Sequence, residues 1–197
     1  MTRKDDQFES SNGRVLSDPP GDYPSAYTTK FQASDGTRYT VRPIRPDDES
    51  RLVDFHRHLS EETVYWRYFV PLRLDVRIAH ERLLKRCLID YHKEMALVAT
   101  YSDESGQERL GAVARLVRIK DVNRAEVAFV VADQHQRHGL GTYLLERIIA
   151  IARREGVAEL GAVMLAGNLS MKDLFRRAGF QFLSPLGTDV TARLKLS

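Results

Sequence analysis

One acidic residue, Glu126, interrupts the apolar run Ala125–Val131, and shortly after it Gln136-Arg137-His138-Gly139-Leu140-Gly141 opens an amphipathic stretch reaching Arg153. A lone carboxylate on a strand suits general-base work. Glycines at a helix start leave amide N–H groups uncovered at the positive end of the helix dipole, where an anion can approach. The bare Gly-X-Gly pattern also occurs as a simple turn, so a backbone turn and a pyrophosphate cradle stand side by side. A dinucleotide fingerprint is excluded: position 144 is Leu where a third glycine is required, and polar Asp133 to Arg137 separates the strand from the glycines. The Gly-Lys-Ser/Thr ending of a phosphate-binding loop is absent.

Strand alternation puts Glu126 on the face of Ala128 and Val130, opposite Val127 and Phe129. Two environments are open to it. Buried among these apolar neighbours, its carboxyl would titrate high enough to act as a base; at an exposed strand start, it would pair with Arg124 or a neighbour. Arg137 and His138 read either as charges facing phosphate or as a solvated loop.

The glycine segment resembles motif A of the GNAT superfamily of acyl-CoA-dependent N-acetyltransferases, whose Gln/Arg-x-x-Gly-x-Gly/Ala signature matches Gln136 to Gly141. Asn168 to Phe180 is similar to motif B of the same family, and Val41-Arg-Pro-Ile-Arg-Pro-Asp-Asp48 resembles its first strand and helix start. Together with Leu59–Phe69, Ile89–Ala96 and Arg124–Glu126, the chain is similar to bacterial Pat-type protein lysine acetyltransferases from about Tyr39 to Leu183. The resemblance implies an α/β (α+β) GNAT fold: a mixed, mostly antiparallel sheet of about six to eight strands, flanked by helices and splayed at the acyl-CoA site. It implies acetyl-CoA as acyl-donor cosubstrate. The backbone of Phe129, Val130 and Val131 would meet the pantetheine amides, with an oxyanion donor near Val130 or Val131. Gln136, Arg137, His138, Gly139, Leu140, Gly141 and Thr142 would surround the pyrophosphate, and Asn168 would bond the pantetheine arm. Glu126 would be the general base, and the acceptor a lysine of a protein such as an acyl-CoA synthetase. A small-molecule amine acetyltransferase and an acyl-CoA-binding module without turnover are the alternatives.

A lysine ammonium, with a pKa near 10.4, is neutral in only about one molecule in two thousand at pH 7, so a base is worth roughly 4 to 5 kcal/mol. The departing thiolate needs less help, since its pKa is about 8.5. Many relatives carry a tyrosine as general acid where this chain has Phe175. Phenylalanine cannot donate a proton, which leaves water, Tyr143 or Ser170.

Residues 1–25, rich in Asp, Ser, Gly and Pro, are expected to form a flexible arm, and 26–197 a single domain. Tyr27–Gln32 and Tyr39–Ile44 read as strands around the turn Ser34-Asp35-Gly36. Pro46 starts a helix with Leu52, Phe55 and Leu59 inward, and Ser60 caps a second through Phe69, whose aromatics read singly as core. Asp75 is expected to cap a third helix with Val76, Ala79, Leu83, Leu84, Cys87 and Leu88 on one face, making Cys87 a core residue rather than a nucleophile. Strands follow at Met95–Tyr101, Leu110–Ile119 and the Glu126 run; Glu159–Leu165 returns parallel after the helix, and terminal strands lie near Phe180–Leu183 and Val190–Leu196.

Composition adds exclusions. The 197 residues, 43% hydrophobic, suit one core, and a net charge of +3 is too small to argue for nucleic acid. A single cysteine excludes an internal disulfide, and no metal-ligand spacing is recognisable. No apolar run has the length of a membrane span and no signal peptide is recognisable, so a cytoplasmic protein is expected.

Overall fold

The computed structural model describes residues 23–183 and 187–196. Most of the expected arm, residues 1–22, lies outside the described residues. From Tyr23 the chain already packs: the Tyr23 hydroxyl donates to the Pro43 carbonyl at 2.9 Å, and its ring meets Tyr91 edge-on.

Among the described residues, eight strands form one sheet: β1 (Thr29–Gln32), β2 (Arg38–Pro43), β3 (Glu94–Ser102), β4 (Glu108–Arg118), β5 (Arg124–Val131), β6 (Glu159–Leu165), β7 (Gln181–Phe182) and β8 (Asp189–Lys195). Their spatial order is β1-β2-β3-β4-β5-β6-β8-β7. Every neighbouring pair is antiparallel except β5 and β6. That parallel pair requires a crossover, supplied by helix α5 (Leu140–Arg154). The mixed, mostly antiparallel α/β sheet is the one expected.

Alternation divides the core by face. Ala125, Val127 and Phe129 join Leu144, Leu145, Ile148 and Ile151 of α5 and Phe175 of α6 (Leu169–Arg177). Val130 and Ala132 face the other way, toward Leu52 and Phe55 of α1 (Glu49–Arg57), Val64 of α2 (Glu61–Tyr68), and Leu83 and Cys87. Burial pushes the Cys87 thiol up to about 12, as suits a core position.

The expected single helix after Asp75 is broken into α3 (Leu74–Arg77) and α4 (His80–Cys87), and Asp75 caps neither. Ala79 leaves helical geometry at φ −55°, ψ 127°, and Val76 and Leu88 are exposed. The break lets Arg77, rather than an apolar residue, turn inward, where Nη1 donates to the His56 carbonyl at 2.9 Å. That satisfies a buried backbone acceptor, a need no hydrophobic pattern reports.

Helix α1 is fixed to the sheet by charge. Arg42 on β2 meets Asp48, just before α1, in a bidentate pair with both contacts at 2.7 Å and both residues buried. The Arg45 amide donates to the same carboxylate at 2.8 Å. Removing Asp48 leaves the buried Arg42 only the partly exposed Glu108, at 3.6 Å, as a charge partner. Asp48→Ala should therefore lower unfolding free energy by about 3–5 kcal/mol, read by urea denaturation.

Candidate active site

The sheet opens beyond its parallel pair. β5 and β6 are paired only at Arg124–Glu159, Ala125–Leu160 and Glu126–Gly161, after which they separate. The gap leads into a cleft of about 530 Å³ walled by Phe129–Val131, by Thr63, Trp66 and Arg67 of α2, by the start of α5, and by Asn168 and α6. This size is ordinary for a small-molecule or cofactor site.

The glycine segment sits at one end of the cleft. Gly139 is the N-cap of α5 at φ +91°, and Arg137 also has positive φ, so the chain turns sharply into α5, whose first amides have no partner within the helix. A β-carbon added at Gly141 would meet Leu174, Phe129 and Val131 at no less than 3.7 Å. The fold does not require glycine there; the missing side chain leaves space for an approaching group. Gly141, Thr142, Gly139, Arg137 and Gln136 line the cleft. Leu140 is buried in the core and offers only backbone, while His138 turns away, its Nε2 4.0 Å from Asp35.

Buried groups hold this loop from below. His135 is buried, and its Nδ1 lies 2.8 Å from the Tyr39 hydroxyl. Burial keeps the imidazole's pKa below its ordinary value and pushes the Tyr39 phenol up to about 12, so both are neutral near pH 7. Gly111 makes room for them, since a β-carbon there would lie 2.9 Å from the Tyr39 ring and 3.1 Å from His135.

A second set of contacts clamps the loop to α2. Asp133 accepts from the Ser60 amide (2.9 Å), the Ser60 hydroxyl (2.6 Å) and the Thr63 hydroxyl (2.7 Å). Gln136 donates through Nε2 to Thr63 Oγ1 at 3.1 Å and to the Val131 carbonyl at 3.0 Å. Ser60 also caps α2, as expected, accepting from the Thr63 amide. The clamp joins residues 70 or more positions apart, so only the cap was visible as a local pattern.

Glu126 stands at the vertex where the strands separate, on the expected face but exposed. Of the two environments open to it, the exposed one is found, and its neighbours explain why: Val117 across β4 is 39% exposed, and Gly161 across β6 has no side chain to cover it. Arg124 pairs with Glu159 instead, at 3.6 Å. Glu62 of α2 is a carboxylate that lines the cleft directly, accepting from Trp66 Nε1 at 3.2 Å. Its sequence context, an exposed first helical turn, carries no catalytic signal.

Asn168 caps α6 by accepting from the Met171 amide at 3.1 Å and lines the cleft. Phe175 is buried, stacked on Phe129 and edge-on to Phe180. Of the two alternative acids, Ser170 lines the cleft, whereas the Tyr143 hydroxyl donates to Thr29 Oγ1 at 2.9 Å beside Phe31. Tyr143 is thereby directed away from the opening.

The acetyltransferase (GNAT) domain family matches residues 38–181. An acetyltransferase of Pseudomonas aeruginosa is 32% identical over 147 residues, covering 74% of this chain and 76% of that protein. Acetyltransferase Pat of Mycolicibacterium smegmatis is 32% identical over 149 residues, 75% of this chain but 43% of that longer protein. The crystal structure of the GNAT domain of S. lividans PAT superposes with a TM-score of 0.78 at 31% identity, covering 88% of this chain and 99% of that domain. The chain belongs to the GNAT family and is an acetyltransferase. The cosubstrate of that family is acetyl-CoA.

Although partial burial raises the Asp133 carboxyl, hydrogen bonds from Ser60 and Thr63 outweigh it and hold the pKa below the ordinary aspartate value. A depressed folded-state pKa gives stability that is complete above the unfolded value of about 3.9 and is lost as pH falls through the lower folded value. Asp133→Asn should therefore be less stable than the native chain at pH 7. In urea denaturation, that difference should shrink as the pH is lowered through about 4 and below.

Proposed function

We propose that the chain transfers the acetyl group of acetyl-CoA directly to the side-chain amine of a protein lysine in the cytoplasm. The observation that carries this reading is the separation of β5 from β6 immediately after Glu126. Beyond that point the β5 edge is free to pair with the pantetheine amides as an added strand would. The thioester then comes to rest at the vertex, and the pyrophosphate at the uncovered amides of Gly139 to Thr142. Asn168, whose Oδ1 is taken by the helix cap, has its side-chain NH2 for the pantetheine arm.

Glu126 acts as general base, taking the ammonium proton through a bridging water so that the neutral amine attacks the thioester carbonyl. Because the free chain leaves Glu126 exposed, any desolvation of the base comes from the bound carrier and acceptor. The oxyanion is stabilised by an N–H of β5 near Val130 or Val131. Collapse breaks the carbon–sulfur bond, and the CoA thiolate is protonated by water or Ser170. No covalent enzyme intermediate is needed. Glu62 is the second candidate base, since it lines the cleft and Glu126 does not. The similarity to Pat supports a protein acceptor.

In Glu126→Gln, kcat should fall at least about 100-fold while calorimetry gives an unchanged acetyl-CoA affinity. Unaltered turnover removes Glu126 from the role, and a matching collapse in Glu62→Gln alone transfers it to α2. Gly141→Ala should be as stable as the native chain or more so, because alanine favours helix by about 1 kcal/mol and meets no clash. The same variant should bind acetyl-CoA at least about tenfold more weakly in calorimetry, the loss of roughly one good hydrogen bond.

A further inference from the structure

Beside the cleft, on the face of the sheet that carries Glu126, four arginines surround a cavity of about 50 Å³. Such a space admits one or two waters or one small charged group. Its floor is Ala128 and Val130 of β5, and its walls carry Arg67, Arg82, Arg86 and Arg115. Arg115 is answered by Glu94 and donates to the Arg86 carbonyl at 2.6 Å. Among the described residues, Arg67, Arg82 and Arg86 have no carboxylate within ion-pair distance. Arg67 and Arg82 instead lie over the Tyr68 ring, 5.2 and 5.6 Å from its centroid.

The wall also includes His56, 7% exposed, whose Nδ1 has no hydrogen-bond partner among the described residues. Burial, and then repulsion from Arg77, Arg82 and Arg67, lowers its pKa to about 4, so the imidazole is neutral. Burial also lowers the pKa of Arg67, and Arg86, Arg115 and Arg82 add to the effect. Like charges gathered in a partly dry site repel until an anion neutralises them.

The position of the cavity says which anion. Arg115 is the cross-strand partner of Ala128, one same-face step, roughly 7 Å, along β5 from Glu126. Arg67 lines both the cavity and the acyl-transfer cleft.

We propose that this cavity is the acceptor's anion subsite: it binds a carboxylate that the acyl acceptor carries near its reacting amine. Arg82 and Arg86 approach the carboxylate from one side, and Arg67 from the cleft. The inference rests on the acyl-transfer reading of that cleft. The carboxylate belongs either to an aspartate or glutamate beside the target lysine, or to the backbone end of a free amino acid.

Two probe pairs separate these sources in calorimetry with CoA present. One pair is a blocked lysine pentapeptide flanked by glutamates and its glutamine-flanked counterpart; the other is free lysine and lysine amide. In one pair the carboxylate form should bind at least about tenfold more tightly, the scale of a charge-assisted hydrogen bond. Arg82→Ala/Arg86→Ala should erase that preference and leave acetyl-CoA affinity within about twofold, which also checks that the variant folds. Equal binding within both pairs overturns the subsite, as does a preference that survives in the variant. A parallel loss of acetyl-CoA affinity also overturns it, by assigning the arginines to the cofactor or the fold. Mass mapping of the same probes after incubation with acetyl-CoA keeps the two readings apart. Selective binding without acetylation refutes lysine transfer and leaves the subsite standing; acetylation without selectivity does the reverse.

Discussion

Two adjacent parallel strands that pair for three residues and then separate impose the central constraint on this molecule. A strand edge inside a fold presents donors and acceptors that need partners, and an open gap between two such edges is costly unless something fills it. Gln136 answers part of that need by donating to the Val131 carbonyl at the far end of β5. The rest faces the cleft, where a linear molecule bearing amides is the natural complement.

The edges of the gap are held by different means. On one side, the α5 start is supported by the neutral Tyr39–His135 pair packed against Gly111. On the other, α2 is tied to the same loop through Asp133, Ser60 and Thr63. Trp66 of α2 reaches across to the turn before α6, where a β-carbon on Gly167 would meet its ring at 3.4 Å. One helix therefore carries the cleft wall, the tie to the glycine segment and, through Arg67, a wall of the arginine cavity. A shift of α2 would therefore change the cleft and the arginine cavity together.

Much of this was legible in the sequence because it is local. The Gly139-Leu140-Gly141 turn, the Ser60 cap and the alternation through Ala125–Val131 each depend on residues a few positions apart, and each stands where its pattern put it. What was not legible depends on tertiary neighbours. Glu126 has an apolar sequence context yet lies exposed, because burial is set by cross-strand neighbours rather than by residues 125 and 127. The α3–α4 break answers a carbonyl on another helix, and the Asp133 clamp spans 73 positions to Ser60. Tyr143 carries a hydroxyl of suitable chemistry, and only the three-dimensional path of α5 shows that it points to β1.

Cys87, the last residue of α4, is the one sulfhydryl of the chain, and it is buried at 1% exposure with its ionisation suppressed. The reaction itself liberates a sulfhydryl on freed coenzyme. Enzyme and product therefore differ sharply in reactivity toward disulfide chromogens or maleimides, which need an accessible thiolate. Colour developing in a turnover mixture would report coenzyme release alone, with the folded catalyst contributing no background of its own.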